Sequence, residues 1–117
     1  MNAIDELTAA PVRKLTITCR GFKTIERGSL KGFASIHVRE LRLTIHDVAV
    51  HESQGKRWAQ LPSKPQLDMN RQPVIQNGKL AYTRILEFDS RAIAGAFSTA
   101  VIRALDKHQQ IQRGDTP

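Results

Sequence analysis

Between Leu30 and Pro62 the apolar residues recur at every second position, and that period confines the chain to a fold built on a sheet. Ala34, Ile36 and Val38 alternate with Phe33, Ser35, His37 and Arg39. Leu41, Leu43 and Ile45 then alternate with Arg42, Thr44 and His46. Such alternation buries one face of a sheet and leaves the other to solvent. The solvent side then carries Arg39, Arg42, His37 and His46 beside Phe33. A cationic face with an aromatic ring on it suits a polyanion whose bases stack.

The flanking sequence extends this sheet. Arg13 to Ile25 reads as a first strand, with Leu15, Ile17 and Cys19 on one face and Lys14, Thr16, Thr18 and Arg20, joined by Phe22, on the other. Gly21 marks a bulge or bend, and Glu26 to Ser29 is turn material. Nothing at Arg39-Glu40-Leu41 forces a turn, so a hairpin and a bent continuous strand both remain open. After Ile45 the alternation shifts to Val48 and Val50, which a bulge near Asp47 would produce. Gln54-Gly55 and Asn77-Gly78 are hairpin turns, since these residues tolerate positive φ. Pro62 to Pro73 reads as a long aperiodic loop. A strand is expected over Lys79 to Phe88, and then Asp89 or Ser90 caps a helix over Arg91 to His108. Its stripe is Ile93, Phe97, Ala100, Val101, Ala104 and Leu105.

The expectation is therefore one α+β domain over residues 1–117. It has a twisted antiparallel sheet of about five strands and one C-terminal amphipathic helix, and it dimerises to extend a small core. Residues 1–11 form a lead-in and 109–117 a flexible tail. With 117 residues and a formal net charge of +7, the chain is of one-domain size and suited to a polyanionic partner. The single cysteine, Cys19, allows no internal disulfide and falls in the apolar set of its strand. The acidic N-terminus does not fit a signal peptide, and no run approaches the roughly 18 apolar residues of a membrane span, so a cytoplasmic protein without a membrane partner is expected.

Catalytic motifs are missing, and no enzyme, cofactor or small-molecule substrate is expected. Gly28-Ser-Leu-Lys-Gly32 fits neither the length nor the ending of a phosphate-binding P-loop. Cys19 with a distant histidine would make a dyad only if it left the apolar face. His46 and His51, five apart, point to opposite faces of a regular strand, and His37 with His46 lacks a third ligand, so no metal site is expected. The basic residues carry the functional reading. Lys14, Arg20, Arg39 and Arg42 would gather on one surface with Phe22, Phe33, His37 and His46, and Lys56, Arg57 and Lys64 form a second cluster around Trp58; the expected ligand is single-stranded DNA or RNA. Phosphates would be neutralised by the cations, while bases stack at about 1–3 kcal/mol each. Trp58 itself fits a core or dimer interface better. The competing readings are a plain solvated sheet face, with Phe22 and Phe33 tucked under the helix, and a protein-assembly module that binds no nucleic acid.

Ala34-Ser35-Ile36, Ile45-His46-Asp47-Val48 with Val50, Gly55, Trp58-Ala59 and Leu61-Pro62-Ser63-Lys64, in that order, resemble the sporulation stage V protein G (SpoVG) family. The resemblance covers the middle third of the chain and the order of strands before a C-terminal helix. It implies a small dimeric α/β fold that binds DNA and RNA as a regulator, with Lys64 as a phosphate contact. The general layout is also similar to that of the PC4 single-stranded-DNA-binding coactivators.

Overall fold

The structure is a computed structural model that describes residues 15–114. Four strands run antiparallel in sequence order: β1 (Ile17–Arg27), β2 (Leu30–Val38), β3 (Leu43–Ser53) and β4 (Lys56–Gln60). Four short strands follow, β5 (Ser63–Pro65), β6 (Ile75–Gln76), β7 (Lys79–Leu80) and β8 (Tyr82–Arg84). Helix α1 (Arg91–Gln112) comes last. The fold is α+β. The main sheet has four strands among the described residues, because the chain after Pro62 leaves it for a separate ribbon.

Burial along β2 follows the sequence period. Ala34, Ile36 and Val38 are buried, while Phe33, Ser35 and His37 between them are half-buried. Cys19, Val48, Val50 and Ala59 extend that face across the other strands, and α1 covers it with Phe97, Val101, Ile102, Ala104 and Leu105. Each Ile or Val taken wholly out of water contributes about 1.5–3 kcal/mol, so this layer is the main source of stability. Leu41 and Leu43, expected to continue the apolar set, are instead exposed near the β2–β3 link.

Bulges at Arg20, at Lys31 and at His46-Asp47 decide which side chains reach which face. Cys19 pairs with Ile36 but Gly21 pairs with Ser35, so Arg20 is an extra residue in β1. Beyond it Phe22 turns to the covered face, packing on the core and not beside Arg20 as the unbroken alternation implies. Gly32 makes room for that ring: a Cβ there would collide with the Lys23 carbonyl oxygen and lie 2.6 Å from Phe22 Cζ. In β3, His46 and Asp47 together face the single residue Ser35, with Asp47 at φ 59°. The bulge expected near Asp47 is present, and it returns Val48 to the core.

The β2–β3 link is a hairpin closed by a 3-10 turn, Arg39–Leu41, with Arg42 left-handed at φ 48°. It is tied to the start of β1. The Thr16 N–H donates to Glu40 Oε1 at 2.6 Å, its hydroxyl to Oε2 at 2.8 Å, and the Arg39 N–H donates to the Thr16 carbonyl at 3.0 Å. These bonds favour the charged carboxylate and hold Glu40 below its usual range, the Thr16 backbone contributing most.

The expected loop from Pro62 to Pro73 is not aperiodic: it holds β5 and the Leu67–Pro73 bridge, and with the hairpin about Asn77-Gly78 it builds a ribbon over residues 63–84. β5 pairs with β8, β6 with β7 around Asn77-Gly78, and Leu67 bridges Pro73. The three pieces meet where Gln66 N–H donates to Ala81 O, Ala81 N–H to Val74 O, and Val74 N–H to Gln66 O, each at 2.9 Å. This closed ring of hydrogen bonds makes a three-way ribbon junction. The expected long strand over Lys79 to Phe88 therefore breaks at Ala81 and ends at Arg84.

Ser90 caps α1 by accepting from the Ile93 N–H at 3.2 Å. The helix continues through Gln112, one turn past the expected end at His108, so residues 109–112 of the expected tail are helical. Two polar links fasten it to β4, which is the sheet edge. The Ala59 N–H donates to Ser98 Oγ at 2.8 Å. Arg57 forks onto Asp106 at 2.7 and 2.9 Å.

Candidate nucleic-acid interface

The face of the sheet turned away from α1 can be read in rows across the strands. Thr18, His37 and Thr44 form one row, and Gly21 and Ser35 with His46 a second. Lys23, Phe33, Ala49 and Gln60 form the third, and Arg27, Leu30, His51 and Trp58 the fourth. Lys56 lies beyond on β4, paired with Ser53 and so on the same side as Trp58. The cations of this open face are therefore Lys23, Arg27 and Lys56. Among the described residues none of the three has an ion-pair partner.

Carboxylates are distributed otherwise. Glu26 pairs with Lys31 at 3.7 Å and, with Glu52, lines the groove beside Leu105 and Gln109 on the helix side. Asp106 is on α1, Glu40 in the 3-10 turn, and Asp68, Glu87 and Asp89 lie beyond the main sheet. Among the described residues Asp47 is the one carboxylate beside this surface, opposite Ser35 in the bulge it shares with His46. Segregation of this kind gives one side of a sheet a positive field.

Aromatic side chains complete the surface. The His51 and Trp58 rings lie parallel, 5.3 Å between centroids and 6° between planes. The Ser29 hydroxyl and His51 Nδ1 are 2.9 Å apart, which fixes the imidazole, and Ser35 Oγ holds His46 Nδ1 at 3.1 Å. Phe33 stands half-buried one row away, with Ala49 opposite it.

The residues singled out from sequence do not all share this face. Phe33, His37, His46 and Lys56 share the open face, and Arg20 sits exposed in the β1 bulge at its margin. Arg39 and Arg42 do not belong to that face, because the 3-10 turn lifts them off the ladder to the end of the sheet. Arg57 points to the opposite side, where Asp106 occupies its guanidinium. That bond raises the Arg57 pKa and lowers that of Asp106, each mainly through the shared hydrogen bonds. Lys64 is exposed in β5, within the ribbon. Lys14 lies outside the described residues. Trp58 is part of the open face and not of the core.

Lys23 escaped the sequence reading because an unbroken period assigns it the wrong face beyond Arg20, and Arg27 because it falls in the expected turn Glu26 to Ser29, whereas β1 runs through it. Gly21, noted there as a bend, was the signal that could have found Lys23. Cys19 is buried and its thiol pKa is raised by desolvation, as its place in the apolar set implied. Among the described residues no three His, Cys, Asp or Glu side chains group as metal ligands, and no helix is long and apolar enough to cross a membrane. Comparison of the chain with protein families, with characterised proteins and with solved structures gives no significant match.

Proposed function

We propose that this is a non-enzymatic, cytoplasmic nucleic-acid-binding protein that grips phosphates through the open face of its sheet. One observation carries the reading: Lys23, Arg27 and Lys56 are collected on one surface with three histidines and two aromatics, while Glu26 and Glu52 are turned to the helix side. Arg20 at the margin and Arg39 and Arg42 at the sheet's end would prolong the positive field. The resemblance to the SpoVG family agrees with a small nucleic-acid-binding regulator.

Its working form, in this proposal, is a homodimer. Leu67, Met69, Ile75, Leu80, Tyr82 and Ile85 of the ribbon are all 47% or more exposed, an apolar surface that a second copy would cover. The same residues favour the competing reading of a protein-assembly module. Fluorescence anisotropy with a labelled oligonucleotide across a salt series separates the two. Three phosphate contacts per chain predict a log–log slope of roughly −2 to −3. Binding that is absent, or flat in salt, would leave the assembly module standing alone.

A further inference from the structure

We infer that the ligand of the open face is single-stranded, with unpaired bases stacked on Phe33 and Trp58. The inference rests on the proposed nucleic-acid reading and adds what part of the polymer the surface selects. The chain's only tryptophan lies on the edge strand β4, so among the described residues no further strand of the sheet stands beside it. One side of the indole is backed by the parallel His51 ring, which Ser29 anchors. A base laid on the other side would extend that stack without having to order it first. Phe33 has the small Ala49 opposite it on β3, and on β1 it has Lys23 opposite and Gly21 diagonally placed, so low residues adjoin its ring on two sides.

Two strand spacings and one outward step separate Phe33 from Trp58, about 12 Å along the sheet. Lys23 stands across from Phe33 on β1, and Lys56 is two positions from Trp58 on β4. Rings thus lie between cations, the arrangement that suits a strand whose bases face the protein and whose phosphates run past the lysines. A duplex keeps its bases stacked on one another and can use only the cations. His51 is a positioning residue in this scheme: it backs the indole and touches no base.

The test is titration of the full chain with oligothymidylate and with a duplex of equal length, read by anisotropy and by Trp58 emission. Binding of oligothymidylate tighter than duplex by about tenfold, with quenched emission, is the expected result. Trp58→Ala should weaken oligothymidylate binding about 5- to 100-fold and leave duplex binding unchanged, while Trp58→Phe restores most of it. Trp58→Leu serves as the ring-free variant if alanine unfolds the chain. His51→Ala should weaken binding and His51→Phe, which keeps a flat ring, should rescue it. Equal affinity for both oligonucleotides with unquenched emission would overturn the stacking while sparing the phosphate reading. Binding of neither would overturn both.

Discussion

The two faces of the main sheet come from the same alternating residues yet answer to different demands. The covered face is apolar, closed by α1, and its polar fittings are paired: Arg57 on Asp106, Ser98 on the Ala59 N–H. Among the described residues the lysines and arginine of the open face have no carboxylate partners, and its His51 and Trp58 rings are stacked on one another. A merely solvated face has no need to send its acids to the other side. That difference teaches that charge placement, more than total charge, is the informative quantity in a basic protein of this size.

Neighbours on β2 give the sharpest way to break the comparison. Ile36 is wholly buried and His37, next to it, faces outward. Ile36→Ala should cost about 2–5 kcal/mol by denaturant unfolding, because little around it can collapse into the cavity. His37→Ala should cost less than about 0.5 kcal/mol. Similar losses at both positions would mean the outer face is covered in solution.

A smaller effect belongs to the link between β4 and α1. Arg57→Ala should cost about 0.5–1 kcal/mol, the range for a partly exposed and screened pair, and should leave nucleic-acid affinity within twofold. Asp106 has its pKa lowered in the folded chain. Its contribution is thus complete above the ordinary aspartate pKa and lost as pH falls through the lowered folded value. Glu40, lowered in the same direction, adds to the same acid loss. Thermal melting below about pH 4 should show the stability of the natural chain falling toward that of Arg57→Ala. Curves that keep a constant gap there would deny the pair its role.

Much of the covered face was legible in the sequence, since the β2 period, the Asp47 bulge, the glycine turns and the Ser90 cap each have a local cause. The open face was half legible. A one-residue bulge reverses every later side chain in its strand, so the extra residue Arg20 exchanges the faces of Phe22 and Lys23, while Arg27 was hidden in an expected turn that the strand in fact runs through. Arg39 and Arg42 were placed by alternation where a 3-10 turn interrupts it. The ribbon was legible only at its Asn77-Gly78 turn, because backbone hydrogen bonds among Gln66, Val74 and Ala81, not an apolar period, hold the rest together.

The central claim is that the binding cations are those of the open face. Salt-dependent affinity of the triple variant Lys23→Ala, Arg27→Ala, Lys56→Ala, set beside Arg39→Ala with Arg42→Ala, tests it most directly. The triple variant should stay folded and its log–log salt slope should shrink in magnitude by about 2–3, while the double variant changes less. A triple variant that binds oligonucleotide with the original slope would contradict the account.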